Sequence, residues 1–393
     1  MTLTQLVAQK KYTLNNVALI QSGEQFFTCL VNLINQAQTY IHLQVYIFDW
    51  DETGKRIYNA LASAAKRGVK VFVVVDAYAS AQLSQQTVIN WQAAGIYLKR
   101  FSPLKNKRGY GLGRRLHHKI VCVDGEVALV GGINIANKYS GYGNVSPWLD
   151  YAVEVRGTLV QEIKKVCEEI LPRKIVKRTP THHSKLAISE PSTLMQAAII
   201  KNDWLRSKVE ISAGYRDAIR NAKHDITIMA SYFLPGNRVR RLLRKATERG
   251  VHVRVILVGE SDVPMVRSAM HYLYDWMFRN NMEIYEWQPS VLHGKLMVVD
   301  GKWTTIGSYN LNALSDYGSL ELNVEVFNQH FATLVQNHLA THVLANSEKI
   351  NANQFTKHKN PFKQFWRWLS YVSIRTALRI LFGLMQGRKP SHF

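Results

Sequence analysis

Acidic residues are scarce in this chain. Over 393 residues, 28 Asp and Glu face 50 Lys and Arg, a formal charge of +22. A field of that sign attracts phosphate-rich partners, either anionic lipid surfaces or nucleic acid, and charge alone does not choose between them. Cysteine is scarcer still. Cys29, Cys122 and Cys167 are odd in number and lack metal-ligand spacing, which excludes a disulfide framework and a zinc site and suits a reducing compartment. No run of 18 apolar residues occurs, and "MTLTQLVAQKKYTLNN" at the start has no apolar core long enough for a signal peptide. Any membrane role is therefore expected to be peripheral. No carboxylate cluster suits magnesium, so neither a metal nor another cofactor is expected. A hydrophobic content of 47% excludes disorder and is enough for two ordinary domains or one duplicated unit.

What is present is written twice. "AQTYIHLQVYIF" (37–48) resembles "AKHDITIMASYF" (222–233), each an alternating strand-type run that ends in an aromatic. "AAKRGVKVFVVVD" (64–76) matches "KATERGVHVRVIL" (245–257), where a helix stops at Gly68 or Gly250 and a Val-rich strand follows. "LHHKIVCVDG" (116–125) matches "LHGKLMVVDG" (292–301), and "LDYAVEV" (149–155) matches "LELNVEV" (320–326), all in the same order. The pattern predicts an α/β fold of two pseudo-symmetric lobes, each a mixed sheet flanked by helices, with the functional site at their interface. The boundaries expected are an N-terminal lobe at 1–170, a basic, proline-punctuated linker at 171–197, a C-terminal lobe at 198–350 and a basic tail at 351–393.

In each half a His is followed by Lys two residues later, Asp seven later, Gly fourteen later and Asn seventeen later. The two sets are His117, Lys119, Asp124, Gly131, Asn134 and His293, Lys295, Asp300, Gly307, Asn310. Residues i and i+2 of a strand share a face, so each His projects with its Lys while His118 points away. Two imidazoles and two ammonium groups around one cavity make a phosphate site. The lysines neutralise oxygens, one imidazole attacks phosphorus, and the other protonates the leaving oxygen. Asp124 lies roughly 16 Å along an extended strand from Lys119 at about 3.3 Å per residue, and on the opposite parity. In "VDG", Asp124 and Asp300 read instead as turn anchors. To hold the histidine tautomers, Asp150 and Glu321 are the expected orienting carboxylates, with Glu154 and Glu325 as the alternative pair.

These residues resemble the phospholipase D superfamily, whose paired HxKxxxxD motifs are matched in full at 117–124 and 293–300. The resemblance, over about residues 20 to 345, implies two-step phosphodiester transfer through a covalent phosphohistidine. It makes His117 the nucleophile and His293 the acid/base, with Asn134, Ser308 and Asn310 among the substrate contacts. The family's Gly-Ser-x-Asn is present at 307–310, but the first half has Gly132 where a serine is common. Within the superfamily, "GESDVPMVRSAMHYLYDWM" (259–277) and the start of the chain are similar to bacterial cardiolipin synthases lacking N-terminal transmembrane helices. That likeness implies joining two phosphatidylglycerol molecules into cardiolipin and glycerol, at the cytoplasmic face of the bacterial cell membrane. Phospholipase D hydrolysis to phosphatidic acid is the nearer alternative, and a nuclease the more distant one.

Two basic stretches bear on the partner. From Asn351 onward there are eight Lys or Arg and no acid, interleaved with "FKQFWRWLSYVSIRTALRILFGLM". On a helical wheel Lys363, Arg367, Arg375 and Arg379 fall within an arc of about 160°. An interfacial anchor on anionic phospholipid needs such a helix, although a tail packed on its own domain would also carry apolar residues. "LKRFSPLKNKRGYGLGRRLHHK" (98–119) also carries eight Lys or Arg and can lead lipid headgroups to the site or track a nucleic acid backbone. Aromatic platforms for bases are not evident beside the motifs, so nucleic acid is not the expected partner.

Overall fold

Each repeated run becomes the same element twice in the computed structural model, which describes residues 12–103, 105–106, 109–110, 114–176, 194–203, 208–357 and 360–386. The first half supplies β1 (Thr13–Gln21), β2 (Tyr40–Val45), α1 (Glu52–Lys66), β3 (Lys70–Asp76), β4 (Ile96–Phe101), β5 (Ile120–Val123), β6 (Val127–Gly131) and β7 (Tyr151–Gly157). The second supplies β8 (Met195–Asp203), β9 (Asp225–Ala230), α2 (Asn237–Glu248), β10 (His252–Val258), α3 (Pro264–Arg279), β11 (Glu283–Trp287), β12 (Lys295–Val299), β13 (Trp303–Gly307), β14 (Ser319–Phe327) and α4 (Pro361–Gln386).

The spatial order β4-β3-β2-β5-β6-β7-β1 in one half is repeated as β11-β10-β9-β12-β13-β14-β8 in the other. In each, the three outer strands run parallel and the rest antiparallel. Parallel strands covered by helices are buried on both faces, which is why β3 is a continuous Val-rich run with Val71 to Val75 all buried. Asp51 caps α1 by accepting from the Gly54 N–H (3.0 Å). The helices before β3 and β10 stop at Gly68 and Gly250, whose φ of 92° and 85° falls in the left-handed region that glycine enters without a Cβ clash.

The lobes are joined more closely than a linker alone implies. β1 and β8 pair antiparallel, with Thr13 opposite Ala197 and Asn15 opposite Met195, so both sheets run on as one. Residues 177–193 of the expected linker lie outside the described residues, and a strand has already begun at Met195. Two further crossings fix the site. Arg115–Leu116 pair parallel with Ser319–Leu320 of β14, and Leu149 bridges Leu292.

The helix α4 packs on α3. Tyr371 is buried and stacks on Tyr272 with 4.9 Å between ring centroids, and the Arg367 guanidinium lies over the Phe355 ring. Another face keeps Phe362, Phe365, Trp366, Trp368, Val372 and Ile380 exposed. No helix among the described residues is long and apolar enough to cross a membrane.

Candidate active site

Each histidine enters the site just before a core strand, and each is held by the other half of the chain. The His117 N–H donates to the Leu320 carbonyl (3.1 Å), and the His293 N–H to the Leu149 carbonyl (2.7 Å). One residue further on in those partner segments come the carboxylates. His117 Nδ1 donates to Glu321 Oε2 (2.8 Å), and His293 Nδ1 donates to Asp150 Oδ2 (2.6 Å). The arrangement is crosswise: the first-half histidine takes the second-half acid, and the reverse. An Nδ1–H fixed in this way leaves each Nε2 with its lone pair. The alternative carboxylates sit elsewhere. Glu154 pairs with Arg156, and the buried Glu325 accepts from the Tyr12 hydroxyl.

The two pairs differ in chemistry. Burial pushes Glu321 up, but His117, Lys119 and the Ser308 hydroxyl outweigh it and hold the carboxyl below its ordinary range. Asp150 is raised to about 6 by burial, against the pull of Lys295, the Tyr151 N–H and Lys119. Both imidazoles are pushed down by burial. Glu321 partly restores His117, whereas Lys295 and Lys119 press His293 well below the usual histidine range.

Lys119 and Lys295 are buried, and each returns to its own histidine. Lys119 Nζ donates to the His117 carbonyl (2.8 Å), and Lys295 Nζ to the His293 carbonyl. Lys295 Nζ also lies 2.9 Å from His293 Nδ1 and 4.0 Å from Asp150 Oδ2. Burial and then mutual repulsion bring Lys119 down to about 7, and burial lowers Lys295 as well. A bound phosphodiester adds negative charge beside the two ammonium groups and so favours their protonated forms against the effect of burial.

His117 and His293 face one cavity of about 360 Å³, shared with Asn134, Asn310 and Glu321. Asn134 is pinned there, with Oδ1 accepting from the Ile47 N–H (3.0 Å) and Nδ2 donating to the Tyr139 hydroxyl (2.9 Å). Asn310 Oδ1 accepts from the Ser231 hydroxyl (2.9 Å). Ser308, expected among the substrate contacts, is fully buried and off the cavity wall. Its hydroxyl donates to Glu321 Oε2 (2.5 Å) and accepts from the Leu322 N–H (3.1 Å), so it orients the carboxylate instead. Gly132, its counterpart, has no side chain because Asp150 fills the place: a Cβ there would lie 2.3 Å from Asp150 Oδ1.

Asp124 and Asp300 do not line the cavity. Both sit at positive φ, 53° and 51°, in turns. Asp124 accepts from the backbone N–H groups of Gln38, Thr39 and Tyr40 and from the Thr39 hydroxyl, at 2.7 to 2.9 Å. Asp300 likewise holds the N–H groups of Lys223, His224 and Asp225. His118 faces away, buried, with Nδ1 3.3 Å from Gln44 Oε1. In the basic run before it, residues 104, 107, 108 and 111–113 lie outside the described residues, while Arg114 pairs with Asp203 and Arg115 with Asp76. Among the described residues no group of three or more His, Cys, Asp or Glu is placed to hold a metal ion.

Sequence reasoning missed the aromatic frame. Tyr46 stands edge-on to His117 at 5.0 Å, and Tyr139, Trp148 and Tyr232 surround His293 at 5.4 to 6.3 Å. Tyr46 and Tyr232 lie in the aromatic endings of the first repeated run, and Trp148 directly precedes "LD". Those neighbours were the signal available.

Residues 30–169 and 215–343 match the family model described as "Cardiolipin synthase, PLD-like domain". The chain is 32% identical over 382 residues to cardiolipin synthase B of Escherichia coli K12, covering 96% of this chain and 91% of that one. It is 27% identical over 323 residues to a probable cardiolipin synthase of Bacillus subtilis, covering 80% of this chain and 62% of that one. Among solved structures, a phosphatidylserine synthase of Haemophilus influenzae superposes with a TM-score of 0.74 over 96% of this chain and 99% of that one, at 13% identity, a likeness of fold.

Proposed function

Since the chain belongs to the phospholipase D-like cardiolipin synthase family, we propose that it joins two phosphatidylglycerol molecules into cardiolipin and glycerol. The observation that carries this reading is the crosswise pairing of two histidines with two carboxylates around one cavity. His117 Nε2 attacks the phosphorus of the first phosphatidylglycerol, and the phosphorus–oxygen bond to glycerol breaks. With the anionic phosphodiester bound, His293 takes up a proton at Nε2, its charged form held by Asp150, and gives that proton to the departing glycerol oxygen. A hydroxyl of a second phosphatidylglycerol then loses its proton to His293 and attacks the phosphatidyl-histidine, releasing His117. Lys119 and Lys295 set the positive field at the phosphorus, with Asn134 and Asn310 on the wall beside it. Asp150 and Glu321 orient the imidazoles.

The division of labour between the histidines rests on the resemblance and on the carboxylates. A nucleophile is best served by a carboxylate that stays ionised through the cycle, as Glu321 does. A proton carrier suits the pair whose acid titrates near neutrality, as Asp150 does. The motif lobes are assigned to 1–170 and to the segment from β8 at Met195 to 350, joined through 171–194, a division supported by the two matched segments.

Contact with the membrane is assigned to the 351–393 tail, at the cytoplasmic face and without crossing the bilayer. Supporting it are the exposed Phe362, Phe365, Trp366 and Trp368 on α4, the charge of +22 and the free thiols. Trp366→Ala combined with Trp368→Ala leaves the packed face intact and is expected to weaken binding to phosphatidylglycerol vesicles at least tenfold. Unchanged binding in a sedimentation assay removes the tail from that role.

The function itself is tested with labelled phosphatidylglycerol vesicles. Cardiolipin and glycerol support the synthase, phosphatidic acid makes the protein a phospholipase, and cleavage of DNA with neither product overturns both.

A further inference from the structure

The cavity above the histidines is not polar throughout. Beside Asn134, the two imidazoles and polar neighbours such as Asp262 and Asn312, its lining includes Leu234, Val263, Val266, Leu314, Ile374 and Leu378. Ile374 and Leu378 come from α4, four residues apart and so on one helical face, and Tyr371 pins that face to α3 one turn earlier. Val263 and Val266 stand at the start of α3. The tail that reads in sequence as a surface element is therefore also part of the catalytic cavity.

A phosphodiester headgroup needs cations and hydrogen-bond donors, and those are supplied around the histidines. It has no use for six aliphatic side chains. Aliphatic side chains facing an open cavity are unfavourable against water and favourable against a hydrocarbon ligand. Val263 and Leu314 of this lining are themselves partly exposed to solvent, as is the neighbouring Met265.

The geometry points to an acyl-chain subsite: one fatty chain of the phosphatidyl substrate lies between α3 and α4, along Leu234, Val266, Ile374 and Leu378, with its phosphate at His117 and His293. This deepens the phosphatidyltransferase reading and rests on it. The occupant follows from continuity, because the apolar wall and the phosphate site are one cavity. It also gives α4 a second task, since the helix whose aromatics face outward walls the groove on its inner side.

The full-length protein is assayed on dioleoyl phosphatidylglycerol vesicles and on glycerophosphoglycerol, the same headgroup without chains. Ile374→Trp fills the groove and is expected to lower the ratio of long-chain to chain-free turnover about tenfold or more. Leu378→Ala, a milder change, widens it and is expected to shift preference among chain lengths severalfold toward bulkier chains. Ratios and preferences unchanged in both variants overturn the subsite. Wild-type protein that makes cardiolipin while the variants keep their ratios sinks the subsite alone. A wild type that releases phosphatidic acid sinks the synthase alone and leaves the ratios to decide the subsite. A wild type inert on phospholipid sinks both.

Discussion

The two histidines occupy matching frames with unlike fillings. His117 leans on a glutamate that Ser308 also holds, and that carboxyl stays ionised below its ordinary range. His293 leans on the shorter Asp150, which fills the space left open by Gly132 and is raised by burial to about 6. Neither half of the chain owns a complete pair, because each histidine borrows its acid from the other. Duplication gave two copies of one motif, and the crosswise exchange makes them obligate partners. In the proposed mechanism, the differences between Ser308 and Gly132 and between Glu321 and Asp150 let one pair hold charge while the other passes a proton.

The largest effects fall on the histidines. His117→Ala and His293→Ala are each expected to lower turnover by at least about a thousandfold, as removal of a nucleophile or acid/base does. Next come the carboxylates. Glu321→Gln and Asp150→Asn keep the shape but lose the charge that holds the imidazole, and a fall of about 10² to 10⁴ in kcat is expected. If only one carboxylate matters, the crosswise symmetry is broken.

Gly132→Ser and Ser308→Ala test why the two frames differ. A Cβ at 132 collides with Asp150, so the serine variant is expected to lose at least about tenfold in kcat with little change in KM. Loss of one hydrogen bond to Glu321 in Ser308→Ala costs about 1.5 to 3 kcal/mol, or about 10- to 150-fold. A Gly132→Ser enzyme as active as wild type contradicts the packing argument.

The pH profile sharpens the comparison further. Asp150 must be ionised to hold His293, so kcat/KM is expected to fall as pH drops through about 6. Lys119 must be charged, so it also falls as pH rises through about 7. Bound phosphate raises the lysine, so the alkaline limb of kcat should lie higher than that of kcat/KM. Glu321→Gln is expected to leave the acid limb in place, and Asp150→Asn to abolish it.

The smallest effect is on Asp124. Asp124→Asn removes a charged acceptor of three backbone N–H groups and should cost about 1 to 3 kcal/mol of stability, read as a lower Tm, with activity retained at low temperature. Its folded carboxyl titrates below the ordinary value. The wild-type advantage is therefore present above the unfolded pKa and shrinks as pH falls through the folded one.

Much of this was legible in the sequence because strand parity and register carry it. The spacing of His117 and His293 to their lysines, the turn geometry at Asp124 and Asp300, and the doubled strand order all follow from short-range rules applied twice. The crosswise pairing was not legible. Asp150 and Glu321 are identifiable as the acids, but which histidine each meets depends on strands 115–116 and 319–320 coming together across the molecule. Ser308 was misplaced for a related reason, because nothing local says that its hydroxyl turns to Glu321 rather than to the cavity. The inner face of α4 was hidden as well. A wheel shows which residues share a face, not that Ile374 and Leu378 meet the wall built by Leu234 and Val266.

The central claim is that two half-sites divide one reaction, and trapping tests it most directly. His293→Ala given phosphatidylglycerol labelled in its phosphate should accumulate a covalent adduct that peptide mapping places on His117, while His117→Ala accumulates none. An adduct on His293 in the His117→Ala protein would contradict the account.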